Sequence, residues 1–136
     1  MNLPKPVSIS LVAIVVAAMV IIFALPNINF SQTSSAERQD ISVQDLAGLD
    51  DAFVLDVRQD WEYAEGHVPG ALLIPLDQLK TRLDELPRDQ AIHIICRSGN
   101  RSVNASSILL DGGFKDVRNV LGGTLAWIEA GYEVEQ

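Results

Sequence analysis

Apolar positions fall into three regimes along this chain. From Val7 to Leu25 they are continuous, VSISLVAIVVAAMVIIFAL, nineteen residues without a charge. From Asn27 to Gln39, NINFSQTSSAERQ, they thin out into a stretch rich in Ser and Asn, the pattern of a polar linker. From Asp40 to Gln136, short apolar runs alternate with stretches of helical period, the pattern of a folded domain. No internal repeat or low-complexity tract interrupts it.

Within the third regime the spacing predicts a series of short elements. Ser42-Val43-Gln44-Asp45 has capping-box spacing, with Asp in place of the usual Glu, and starts a short helix ending near Gly48. Ala52 to Leu55 is a compact apolar strand running into Asp56. Asp60 to Glu65 reads as one helical turn stopped by Gly66, and Ala71 to Ile74 as a second strand. Pro75 opens a helix that places Leu76, Leu79, Leu83 and Leu86 on one face. Ala91 to Ile95 is the third and most apolar strand. Ser102 to Leu110 is a helix closed by Gly112-Gly113, and Val117 to Leu121 a fourth strand. Gly122-Gly123 then leads into a helix through Trp127 and Ile128. Such alternation predicts an α/β domain with a mainly parallel sheet and helices on both faces.

The first regime carries a different expectation. A helix over Val7–Leu25 would reach about 28 Å, close to the thickness of a bilayer's hydrocarbon core. Pro6 and Pro26 bracket it, Lys5 and the α-amino group precede it, and Glu37, Arg38 and Asp40 follow with a net negative charge. By the positive-inside rule the N-terminus stays in the cytoplasm and the domain lies on the periplasmic or extracellular side. A cleaved signal peptide has a shorter apolar core, of about 7–15 residues, with small residues at the cut. Here Ser34-Ser35-Ala36 lies well past the apolar run, which favours an uncleaved single-pass anchor over residues 1–26.

Charge and composition narrow the functional classes. The net charge is −8, with ten basic residues and no basic run, which argues against a nucleic-acid partner. The single cysteine rules out an intramolecular disulfide, and with two histidines no Cys/His cluster has metal-ligand spacing. No metal or other cofactor is expected.

That cysteine, Cys96, stands where the third strand ends, and Arg97-Ser98-Gly99-Asn100-Arg101 leads from it into the helix beginning near Ser102. In open α/β sheets ligands bind at the carboxyl ends of strands. A loop wrapped around the sulfur turns its N–H groups inward as an anion-holding nest, and the helix N-terminus adds partial positive charge. Gly99 and Asn100 are the residue types that tolerate left-handed backbone angles. Arg97 and Arg101 add full charges. All of these favour a thiolate, and so a nucleophile at neutral pH without a general base. On this loop alone, a packed cysteine at a strand end remains an equal reading.

Five further stretches shift that balance: Asp56-Val57-Arg58, Glu62-Tyr63 and Gly66-His67-Val68-Pro69-Gly70-Ala71; Gly112-Gly113-Phe114; and Leu121-Gly122-Gly123 before Trp127. Together with Cys96-Arg97-Ser98-Gly99-Asn100-Arg101-Ser102 they resemble the rhodanese domain from about Ile41 to Tyr132. The resemblance implies a sulfurtransferase in which Cys96 carries a sulfane sulfur as a persulfide, taken from thiosulfate or a similar small anionic donor. A thiol, cyanide or a thiol-bearing protein would accept it. It implies that the N–H groups from Arg97 to Ser102 hold the terminal sulfur, that Arg97 guides an anionic donor, and that Arg101 closes the loop and faces an acidic partner or the substrate.

Two other classes stay open. One is a membrane-tethered persulfide carrier or regulatory interaction module that does not turn over. The other is a phosphatase or arsenate-handling enzyme, disfavoured because the resemblance gives phosphatases of this fold five residues between cysteine and arginine, and this loop has four. Structural roles are expected for His67, His93 and Trp127, and a buried polar network for Asp56, Arg58 and Glu62. Trp61 and Tyr63 fit either a pocket wall or a cover for the sheet.

Overall fold

The computed structural model describes residues 36–136. The expected membrane segment over 7–25 lies outside the described residues, and among these no helix is long and apolar enough to cross a membrane. Five strands form one sheet: β1 (Arg38–Ile41), β2 (Phe53–Asp56), β3 (Leu72–Leu73), β4 (Ile92–Ile95) and β5 (Val117–Val120). Their order is β1-β5-β4-β2-β3, and every pairing is parallel. Five α-helices connect and follow them: α1 (Val43–Ala47), α2 (Asp60–Ala64), α3 (Leu76–Leu79), α4 (Asn100–Asp111) and α5 (Gly123–Glu129). A 3₁₀ turn at Leu83–Glu85 follows α3.

The parallel α/β architecture expected from the alternation is the one observed. Side chains on a strand alternate between faces, so a sheet covered on both sides needs two apolar cores. Ile92 and Ile94 of β4 enter one, with Leu79 of α3 and Ala105 and Leu109 of α4. Ile95 enters the other, with Val43 and Leu46 of α1 and Trp127 of α5. Trp127 is 7 % exposed, and its indole N–H donates to the Glu133 carbonyl, which fixes the chain after α5 across the second core.

Local chemistry explains most boundaries. The Ser42 hydroxyl accepts from the Asp45 N–H at 3.0 Å and caps α1, as the capping-box spacing predicted. Two expectations are corrected in detail. The leucines 76, 79, 83 and 86 do not share one helix: α3 stops after four residues and the chain tightens into the 3₁₀ turn, although Leu79 and Leu86 still reach the same core. Arg38 and Gln39, at the end of the stretch that reads as linker, belong to edge strand β1, whose register pairs Asp40 with Asn119 of β5. A mostly polar, exposed edge strand lacks the apolar run that marked the other four.

After β3 the chain crosses back over β2 to place β4 beside it, and β5 then adds on the far side of β4. The carboxyl end of β4 therefore lies at the point where the connections change direction, and Cys96 is the next residue.

Candidate functional site

Cys96 is 1 % exposed, at the floor of a loop running from Arg97 to the start of α4. The loop's carbonyls and amides are sorted by what surrounds them. The first N–H groups of α5 need acceptors, as at any helix start. Thr124 N–H takes the Cys96 carbonyl at 2.8 Å and Leu125 N–H the Arg97 carbonyl at 3.1 Å. With those carbonyls pulled toward α5, Gly99 turns through φ 103° and its N–H donates to the Cys96 sulfur at 3.1 Å. A side chain at Gly99 would be strained in that left-handed region.

The sulfur's acidity is a balance of opposed effects. Burial raises the thiol's pKa. Hydrogen bonds from the Ser102 hydroxyl and from the backbone N–H groups of Ser102, Gly99 and Ser98 outweigh it, and the thiol lies below its ordinary value. Ser102 is buried, with its hydroxyl 3.5 Å from the sulfur.

Around this loop the expected polar network closes, and in an order that sequence did not reveal. Asp56, wholly buried at the end of β2, takes the Arg58 guanidinium on both oxygens at 2.7–3.0 Å. Arg58 also donates to the carbonyls of Glu62 and Gly66 and so ties α2 to the sheet. The Glu62 carboxylate then receives both terminal nitrogens of Arg101 at 2.6 Å each. The hydrogen bond to Arg101 is the main reason Glu62 is lowered to about 2, against its own burial; the Gln59 N–H and the charges of Arg101 and Arg58 add to it. Arg101 thus meets an acidic group of its own chain and clamps the loop's far end to α2.

Arg97, Ser98 and Asn100 are exposed, Gly99 and Arg101 half-buried. Arg97 borders an open cleft of about 380 Å³ that is walled by Trp61 of α2, by Glu65 just after it, and by Leu125 and Ile128 of α5. Trp61 is 65 % exposed there. Tyr63, two residues on and so on the other side of α2, instead stacks on His67 at 3.5 Å between ring centroids and donates its hydroxyl to the Ala71 carbonyl. His67 is buried, with Nδ1 3.0 Å from the Tyr63 carbonyl, a structural placement. Among the described residues no group of three His, Cys, Asp or Glu side chains is arranged to hold a metal ion.

Two residues contribute to the site in roles that the sequence reading did not assign them. Asn119 of β5 reaches the Ser102 hydroxyl at 2.6 Å, and its one available signal was a buried polar residue inside an apolar strand. Gly123 packs its α-carbon against the Cys96 carbonyl and Arg97, with φ +59°; the Gly-Gly pair before a helix was the hint.

Comparison with known proteins agrees with this arrangement. Residues 41–130 match the rhodanese-like domain family. A sulfurtransferase of Allochromatium vinosum is 37 % identical over 91 residues, covering 67 % of this chain and 85 % of that protein. The thiosulfate sulfurtransferase GlpE of Pseudoalteromonas translucida is 35 % identical over 88 residues, 65 % of this chain and 83 % of its own. Among solved structures, a rhodanese-related protein from Thermoplasma volcanium superposes with a TM-score of 0.67 at 36 % identity, over 71 % of this chain and 97 % of that one. The parallel sheet, the cysteine loop at its carboxyl edge and these relatives converge: the chain belongs to the rhodanese-like domain family, as do the two sulfurtransferases it resembles.

Proposed function

We propose that this protein is a sulfurtransferase that moves a sulfane sulfur from thiosulfate, or a similar anionic donor, to a thiol or cyanide through a persulfide on Cys96. The Cys96 thiolate attacks the outer sulfur of thiosulfate, the S–S bond breaks, and sulfite leaves with the bonding electrons. The acceptor then attacks the outer sulfur of the persulfide, and Cys96 departs as a thiolate. Alternation of this kind is double-displacement chemistry. The terminal sulfur carries the charge after the first step, and inward N–H groups between Ser98 and Ser102 stabilise it there. Arg97 draws the anionic donor to the mouth of the loop, where the cleft between α2 and α5 gives room for donor and acceptor.

The observation that carries this reading is the Gly99 N–H directed at the Cys96 sulfur at 3.1 Å, in a loop whose Cys96 and Arg97 carbonyls are taken by α5. A packed structural thiol has no need of that arrangement.

The test is intact mass after incubation with thiosulfate. Gain of one sulfur atom, discharged by cyanide and absent in Cys96→Ser, is the expected result; no gain, or a gain that survives Cys96→Ser, defeats the reading. Loading that small thiols and cyanide do not discharge assigns a dedicated carrier instead. Tethering through residues 7–25 with the domain outside the cytoplasm belongs to the same proposal. A reporter fused after Gln136 that works only inside the cell would reverse that topology.

A further inference from the structure

The Ser102 hydroxyl has one proton and three acceptors within reach. Asn119 Oδ1 lies at 2.6 Å, the Gly99 carbonyl at 2.8 Å and the Cys96 sulfur at 3.5 Å. Which of them receives the proton is decided two residues away. Asn119 is 3 % exposed, and its Nδ2 donates to Asp40 Oδ1 at 2.9 Å across the β1–β5 pairing. A carboxylate accepts and does not donate, so Asp40 fixes which end of the amide faces it. The carbonyl end of Asn119 is left pointing at Ser102, where only a donated proton satisfies it.

The other two acceptors need Ser102 less. Gly99 is the N-cap of α4, and an N-cap carbonyl already accepts the first bond of its helix. The sulfur has the Gly99 N–H. A buried amide oxygen without a partner carries a substantial penalty.

We propose that Asn119, oriented by Asp40, is a positioning residue that commits the Ser102 hydroxyl proton away from Cys96 and so restrains the reactivity of its sulfur. Directed hydrogen bonds run outward from the sulfur: a Cys96 S–H donates to Ser102 Oγ, Ser102 O–H to Asn119, and Asn119 N–H to Asp40. This chain favours the protonated thiol; a thiolate draws the Ser102 hydroxyl toward itself, which together with the backbone amides keeps the thiol below its ordinary value, but only by leaving Asn119 unpaired, and that cost limits how far the value falls.

The other charged groups surrounding Cys96 are Arg101 of α4 with its partner Glu62 of α2, Arg97 of the loop, and the Asp56–Arg58 pair after β2. His93 lies on the opposite face of β4. None of them is hydrogen-bonded to the Asn119 side chain.

The proposal rests on Cys96 being the reacting sulfur, but its readout is alkylation, so a failure of sulfur loading and a failure of this hydroxyl chain are distinguishable. The rate of Cys96 modification by iodoacetamide is followed against pH on the full chain. In Asn119→Leu the hydroxyl is released to the thiolate, and the midpoint of the profile falls by about one pH unit, with alkylation roughly tenfold faster well below it. If Asn119 only held the loop in shape, its loss would loosen the amides around the sulfur and raise the midpoint. In a Ser102→Ala background the Asn119→Leu shift disappears.

Asp40→Leu covers the case in which Asn119→Leu does not fold, since Asp40 is a surface side chain, 40 % exposed, and leucine leaves neither Asn119 nor Arg38 an acceptor there. At about 1 M salt, where charge effects at the surface are screened within about 3 Å, it too lowers the midpoint by letting the Asn119 amide turn over. A midpoint that rises or stays fixed in Asn119→Leu, a shift that persists without the Ser102 hydroxyl, or an unmoved profile in Asp40→Leu overturns the proposal.

Discussion

Arg101 ends on Glu62 with each terminal nitrogen 2.6 Å from a different carboxylate oxygen, and Glu62 is itself only 7 % exposed in its side chain. This pair holds the far end of the cysteine loop, and the Glu62 carboxylate also accepts the Gln59 N–H at 3.1 Å at the start of α2. Replacing Glu62 by Gln keeps the shape and removes the charge. Arg101 is one third exposed, so water takes up part of the loss, and a destabilisation of about 1–2 kcal/mol is expected in urea unfolding. Thiosulfate loading slows as the loop's end loses its anchor. The same residue sets an acid limit. Its folded pKa is depressed to about 2, from an ordinary carboxyl value of 4.5, chiefly by the Arg101 hydrogen bond. Its stabilisation is therefore complete above pH 4.5 and is lost as pH falls from there toward 2. In Glu62→Gln the unfolding midpoint changes less over that interval than in the wild type; parallel curves would show that Glu62 is not the group responsible.

Between elements, the decisive contact is α5 against the cysteine loop. A Cβ at Gly123 would overlap the Cys96 carbonyl and lie 2.7 Å from the Arg97 carbonyl carbon, at a left-handed φ of +59°. Backbone cannot yield there as a flexible side chain would. Gly123→Ala is expected to cost about 2–5 kcal/mol or to displace the loop, and in the second case sulfur loading fails while thermal stability changes little. Unchanged loading and unchanged stability together would refute the contact. This contact also shows what the sequence made legible. Cys96 at a strand end, Gly99 in the turn and Gly122-Gly123 before a helix are local signals, and each has its expected position. Edge strand β1 was hidden because Arg38, Gln39 and Asp40 face solvent and lack an apolar run. Helix α3 ends early, because Leu83 and Leu86 reach the core from a tighter turn that the leucine spacing does not distinguish from a helix. The partner of Arg101 and the role of Asn119 depend on residues 39 and 17 positions distant, which only the sheet order brings near.

Across the whole molecule the sheet has two chemically distinct ends. Its carboxyl edge carries Cys96 and the closed ion-pair network. Three residues back along β4, about 10 Å away at strand spacing, lies His93, 3 % exposed. His93 Nδ1 is 3.1 Å from the Phe53 carbonyl, whereas Nε2 is buried with no hydrogen-bond partner among the described residues. Burial pushes this imidazole below its ordinary value of 6.5. The bond to Phe53 and the charge of Asp116 oppose that shift, and Arg118 adds to it. The folded state therefore binds the proton less readily than the unfolded chain does. As pH falls below 6.5 the unfolded state takes up the proton first, and stability declines. This loss precedes the one set by Glu62, which begins only below 4.5. His93→Phe replaces an unsatisfied buried acceptor with an apolar ring, so its urea midpoint is expected to change less between pH 8 and pH 5 than that of the wild type. Thiosulfate loading of the folded variant is expected to be unchanged, because the histidine faces the core opposite the one that Cys96 enters. A variant whose stability keeps the full wild-type dependence over that interval would remove His93 as the cause, and a variant that folds but no longer loads sulfur would show that the two ends of the sheet are coupled.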